Sequence, residues 1–214
     1  TTLNAIIELL EQEGMKLAIA APTGRAAMRI SEVTGHDAKT IHRLLEVDFS
    51  DESRSRFLHN EQTPLDADAV IIDEMSMVDA ELFESLLRGI RPGCKLVLVG
   101  DSDQLPSVGA GNVLRDLIAS GKVPTVELRQ VFRQAAESLI VTNAHRIVRG
   151  EMPDLTVKDR DFFFLSRLGE EAAARTIVDL AAERLPKSYG FSPLADIQVL
   201  APQRKWTAGV YELN

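Results

Sequence analysis

Ala69-Val70-Ile71-Ile72-Asp73-Glu74 is the stretch on which the reading of this chain turns. Four apolar residues, three of them β-branched, run without a polar interruption into two carboxylates. A short continuous apolar run suits a strand covered on both faces, which is the habit of parallel sheets. The Asp-Glu pair then falls in the loop where the strand ends. Working outward, KLAIAA (16–21) and KLVLV (95–99) are strands of the same kind.

Helical periodicity fills the intervals. Leu3, Ile6, Ile7 and Leu10 recur at helical spacing before Gly14, and residues 25–33 are helical. Leu82, Phe83, Leu86, Leu87 and Ile90 mark a helix closed by Pro92-Gly93. Residues 38–45 and 112–119 read as short helices, and 137–149 and 174–185 as further ones. Residues 125–128, 161–165 (with Phe162–Phe164 in the core) and 197–200 read as additional strands. Residues 46–65 are acidic and irregular, an exposed loop or small hairpin. Strands alternating with helices predict an α/β fold, a mostly parallel sheet with helices on both faces. Residues 186–193 read as a linker.

At 214 residues, with 45% apolar and 26% charged residues, the chain is long enough for one large domain or one and a half. That composition excludes a disordered tail, a collagen-like fibre and a disulfide scaffold. A single cysteine, Cys94, permits no intrachain disulfide. No apolar run approaches the ~18 residues of a membrane span, and the acid-bearing first helix is not a secretory signal. A cytoplasmic protein without a membrane partner is expected. The net charge of −8 does not advertise nucleic acid, but the acids are segregated. Residues 46–68 hold seven acids against two arginines, whereas 128–149 hold four arginines against Glu137 alone.

In open parallel sheets, ligand groups collect beyond the carboxyl ends of the strands. Asp73 and Glu74 sit there and resemble a Walker B element: the first acid holds Mg²⁺ and the second polarises an attacking water as general base. A strand followed by a solvated acidic turn reads equally well from those residues alone. Gln104, in GDSDQLP after KLVLV, can orient water or sense a γ-phosphate, or belong to a plain polar loop. Thr23, Gly24 and Arg25 open a helix after a strand, which suits a phosphate or an ordinary β–α turn. Arg133, in LRQVFRQ, is a candidate arginine finger or a solvated basic residue, and Arg129 a weaker candidate. The four histidines show no metal-ligand spacing.

The stretches AAPTGRAA, KTIHRLL, VIIDEMSMVD, VGDSDQLPSVGAGNVL, LRQVFRQAAESLIVTNAHRIVRGEMP and VLAPQRKWTAGVYELN occur in this order. Together they resemble the RecD-like group of superfamily-1 DNA helicases, the exodeoxyribonuclease V alpha chain type. Pif1-like helicases share several of these motifs. The resemblance implies a RecA-like P-loop NTPase fold and an ATP- and Mg²⁺-dependent motor. It further implies 5′-to-3′ movement on single-stranded DNA and duplex unwinding, in recombination and repair. Other subunits of a helicase–nuclease complex are implied as partners. Asp73 would hold the metal, Glu74 activate water, Gln104 couple the γ-phosphate to DNA and Arg133 face that phosphate. Thr23, Gly24, Arg25, Thr40 and His42 would line the single-strand path.

No GxxxxGK[ST] loop occurs in the chain. Residues 1–150 are therefore read as a first RecA-like domain lacking that loop. Residues 151–190 are read as an accessory helical segment and linker, and 191–214 as the start of a second RecA-like domain. Such a core fragment is expected to hydrolyse ATP poorly alone. Two other classes remain open: a nucleic-acid-binding module without turnover, and a non-helicase P-loop NTPase. The first has no need of Asp73, Glu74 and Gln104, and the second none of PTGRAA and VFRQ.

Overall fold

The computed structural model describes residues 2–48, 56–128 and 137–214. The chain divides into two compact units, Thr1–Arg129 and Gln130–Asn214.

The first unit is built on three expected strands and a fourth that the sequence reading took for helix. β1 (Leu17–Ala21), β2 (Ala38–Thr40), β5 (Ala69–Ile72) and β6 (Lys95–Leu98) form a parallel sheet in the order β2-β1-β5-β6. Ile19 pairs with Ala38 on one side and with Ile71 on the other, and Ile71 pairs with Val97. All four residues of β5 are buried, because side chains alternate between two covered faces. Ala69 and Ile71 join Ile7 and Leu10 of α1 (Thr2–Gln12) and Ala27 and Ile30 of α2 (Gly24–Thr34). Val70 and Ile72 join Ile41 and Leu45 of α3 (Ile41–Leu45), Leu86 of α4 (Ala80–Gly89) and Leu114 of α5 (Val113–Ser120). Burying each such aliphatic side chain contributes about 1.5–3 kcal/mol. The sheet is thus sandwiched between two helical layers, as the apolar runs require.

Local chemistry sets the helix ends. α2 starts on Thr23, whose hydroxyl accepts the Ala26 N–H at 3.2 Å, and ends on Gly35 at φ 74°, where its N–H reaches the Ser31 carbonyl. α4 starts on Asp79, whose carboxylate accepts the Leu82 N–H at 2.8 Å. The acidic segment contains a hairpin: β3 (Val47–Asp48) pairs antiparallel with β4 (Arg56–Phe57).

Several sequence readings are corrected. Residues 38–45 are an edge strand followed by a five-residue helix, because Ala38–Thr40 extends along β1 before Thr40 caps α3. Residues 125–128 are irregular, with Val126 88% exposed.

In the second unit, α6 (Leu139–Val148) carries the expected helix. Ser138 caps it, accepting the Val141 N–H at 3.2 Å, and Asp161 accepts the Leu139 N–H at 2.7 Å. Asn143, 1% exposed, donates to the Asp154 carbonyl at 3.0 Å and accepts the Asp154 N–H at 2.7 Å. α7 (Glu170–Asp179) passes through a π-helical stretch (Leu180–Arg184) into α8 (Leu185–Tyr189), so the first residues of the expected linker are helical. α9 (Val210–Leu213) follows. Residues 161–165 and 197–200 are irregular rather than strands, and Phe163 and Phe164 are about half exposed. An apolar run becomes a strand only where a partner edge satisfies its backbone groups. Among the described residues of this unit, none is paired in a sheet.

Candidate functional site

The parallel sheet delivers three chain segments to one end. β5 releases Asp73 and Glu74, β6 releases Gly100 to Gln104, and β1 releases Pro22 to Arg25. The Asp73 N–H donates to the Ala20 carbonyl at 3.0 Å, and the Val99 N–H to the Ile72 carbonyl at 2.8 Å. These bonds carry the ladder one residue past the strands and hold Asp73 at the centre of the sheet's rim.

Glu74 adopts a left-handed conformation, φ 55° and ψ 40°, and opens a 3₁₀ turn at Met75–Met77. Such backbone in a residue other than glycine costs on the order of 1–3 kcal/mol and persists where its surroundings enforce it. Here the Glu74 N–H donates to Asp73 Oδ1 at 2.8 Å and the Met75 N–H to the Val99 carbonyl at 3.0 Å. Burial, then the charges of Asp73 and Asp101, push the Glu74 carboxyl above the ordinary glutamate value of 4.5. A carboxylate with a raised pKa is a stronger base, which suits proton abstraction from water.

Asp101 is the acid that sequence reading passed over. Its signal was its place, in the loop just past the strand beside β5, at the same rim as Asp73. Its Oδ1 accepts the Asp103 N–H at 2.9 Å, and its carbonyl accepts the Gln104 N–H at 3.3 Å. Gln104 itself is exposed. Among the described residues no group of three or more His, Cys, Asp or Glu side chains is arranged to hold a metal. Mg²⁺, however, is commonly bound by one or two carboxylates together with phosphate and water oxygens. Asp73 fits that smaller demand, and Glu74 lies close enough to both Asp73 and Asp101 to feel their charges.

The other half of the site lies on β1 and β2. Ala21 and Thr40 are register partners, so the openings of α2 and α3 lie side by side at the same rim. Thr23 and Thr40 both spend their hydroxyls on helix capping, Thr40 accepting the Arg43 N–H at 3.2 Å. Gly24, Arg25 and His42 are exposed, and the His42 ring lies 5.9 Å from that of Phe57. The structure thus brings Thr23, Gly24, Arg25, Thr40 and His42 together, beside the Asp73–Glu74–Asp101 group across β1. Arg133 and Arg129 lie outside the described residues.

The profile of the AAA domain family matches residues 1–163. The ATP-dependent RecD2 DNA helicase of Deinococcus radiodurans is 38% identical over 214 residues, covering 100% of this chain and 28% of that protein. The RecBCD enzyme subunit RecD of Mycolicibacterium smegmatis is 38% identical over 141 residues, 55% of this chain and 25% of that protein. The chain therefore spans only 28% and 25% of the length of these relatives. Among solved structures, the Pif1 helicase of Candida albicans aligns with a TM-score of 0.48 at 22% identity, over 87% of this chain and 48% of that one.

Proposed function

The chain belongs to the AAA domain family, and on that premise we propose that it is motor-core sequence of a RecD-type, ATP-dependent DNA helicase moving 5′ to 3′ on single-stranded DNA. The observation that carries this reading is the junction of the Asp73–Glu74–Asp101 group with the Thr23–Arg25 and Thr40–His42 turns on one sheet rim. The nucleotide-handling half leaves β5 and β6 and the phosphate-facing half leaves β1 and β2, and β1 pairs directly with β5, so the two halves are neighbours on one rim.

In this reading Asp73 contributes the protein oxygen to Mg²⁺. The metal supplies charge neutralisation of the nucleotide phosphates. Glu74 takes the proton from the attacking water, aided by its raised basicity, and Gln104 orients that water or contacts the terminal phosphate. Arg133 neutralises charge developing on the transferred group. The two helix openings and Arg25 hold the backbone phosphates of single-stranded DNA, and duplex DNA and subunits of a helicase–nuclease complex are the larger partners. Residues 1–150 serve as the first motor domain, 151–190 as accessory segment and 191–214 as the start of the second, in the cytoplasm. These 214 residues alone turn over ATP poorly, since none forms the GxxxxGK[ST] cradle that anchors phosphates.

The test is ATP hydrolysis by the full-length protein with and without single-stranded DNA. Expected is strong stimulation by DNA, with Glu74→Gln slowing hydrolysis by roughly 10²–10⁴-fold while nucleotide still binds. Hydrolysis indifferent to DNA overturns the helicase reading in favour of another NTPase. Single-strand binding without hydrolysis overturns it in favour of a binding module.

A further inference from the structure

The loop that carries Gln104 has no core of its own. From Asp101 to Gly111 only Ser107 is partly buried, and Leu105 and Val108 are 87% and 109% exposed. Apolar packing therefore does not hold it. What holds it is the segment that begins with Glu74.

The loop is fastened at two points. At its start, the Met75 N–H donates to the Val99 carbonyl, and Gly100 presses so close that a β-carbon would stand 3.0 Å from the Met75 nitrogen. At its end, the Ala80 N–H donates to the Ala110 carbonyl at 2.9 Å. There Gly109 lies against Asp79: a β-carbon on Gly109 would stand 2.7 Å from Asp79 Cγ and 2.8 Å from its Cβ. Gly111, at φ +97°, faces Ala80 in the same way, with 3.0 Å between an added β-carbon and that of Ala80. The Ser107 hydroxyl lies within donating distance of the Gly109 and Gly111 carbonyls, at 3.1 and 3.0 Å, and closes the turn.

The first turn of α4 is committed to this joint. A helix leaves its first N–H groups without internal partners; here Ala110 takes that of Ala80, and Asp79 takes that of Leu82. Asp79 therefore caps the helix with one oxygen and fills the space beside Gly109 with the rest of its side chain. Five residues separate it from Asp73, and the intervening backbone is pinned by Met75.

We propose that Asp79 and Gly109 form a positioning pair that fixes the Gln104 loop relative to Glu74, so that the water-activating acid and the γ-phosphate-sensing glutamine move as one body. This role rests on the helicase reading above. Asp79 touches no reacting group in it; it acts through the loop.

The experiment uses the full-length protein and reads kcat and KM for ATP, with and without single-stranded DNA, beside thermal unfolding. Gly109→Ala displaces Asp79 from the joint, and Asp79→Ala empties it. Both are expected to lower DNA-stimulated kcat by roughly 10- to 100-fold, the loss that ångström-scale misplacement brings, with KM for ATP held within about twofold. Asp79→Asn, which keeps the acceptor and the shape, is expected to retain wild-type kcat. The double variant is expected to be no worse than the poorer single variant, since both break one contact. Wild-type kcat in folded Gly109→Ala protein overturns the pair. So does an Asp79→Asn variant as poor as Asp79→Ala, or a loss that follows the fall in unfolding temperature and raises KM alike. A wild-type protein that ignores DNA overturns the helicase reading itself, and this role with it.

Discussion

Gly100 and Met75 approach so closely that no side chain fits between them: a β-carbon at position 100 would stand 3.0 Å from the Met75 nitrogen and 3.2 Å from its β-carbon. The exits of β5 and β6 meet here, one carrying Glu74 and the other leading to Asp101. Leu114 Cδ2, 3.0 Å away on the third side, prevents easy relief. Gly100→Ala is therefore expected to destabilise the protein by about 1–3 kcal/mol, the usual cost of overpacking a closed space. Urea unfolding checks this; an unchanged midpoint would show that the exits yield.

Gly24 makes the opposite case. It opens α2 at an ordinary backbone conformation, with nothing within 4 Å of an added β-carbon. Gly24→Ala is expected to leave stability unchanged or raise it by about 0.4–1 kcal/mol, through the less disordered unfolded chain. With stability preserved, a fall in single-strand affinity on that substitution reports a backbone phosphate approaching this turn. Unchanged affinity removes Gly24 from the DNA path. Fluorescence anisotropy with an oligonucleotide measures it.

Glu74 links the site to pH. Its folded-state pKa is raised, by burial first and by Asp73 and Asp101 next. A group raised in this way favours folding below its unfolded value and loses that contribution as pH rises through the folded value. Towards higher pH the carboxylate form of Glu74 therefore costs the fold stability, and Glu74→Gln, which cannot ionise, is expected to melt higher than the parent at pH 7.5. The gap should close as pH falls towards the ordinary glutamate value of 4.5. Calorimetry at pH 7.5 and 4.5 reads both; a glutamine variant that melts lower at pH 7.5 contradicts the assignment.

Asn143 organises the second unit. Both polar atoms of its amide are matched to the backbone of Asp154, in a position 1% exposed. Asn143→Leu leaves the Asp154 N–H and carbonyl without these partners, and an unsatisfied buried group costs about 1–3 kcal/mol. The expected loss is of that size. Hydrogen exchange at the Asp154 amide should accelerate in parallel, and an amide as protected as before would show that another acceptor replaces Asn143.

The α/β class was legible in the sequence because it follows from local composition. Runs such as AVII and KLAIAA have no polar face, so each must be covered twice, and the helical stripes between them supply the cover. The position of Asp73 and Glu74 at a strand exit follows from the AVII run, and that of Gln104 from KLVLV. What tertiary structure alone decided is everything that depends on a partner distant in sequence. Ala38–Thr40 is a strand only because β1 offers an edge, whereas 125–128, 161–165 and 197–200 are apolar but irregular. Asp101 counts because the register of β6 on β5 brings it to the rim near Glu74. Gly100 and Gly109 are, in space, the points where two segments pass too closely for a β-carbon. Periodicity along a chain reports which faces must be buried. The distance between two backbones is set by how the buried faces pack, and no single segment carries that information.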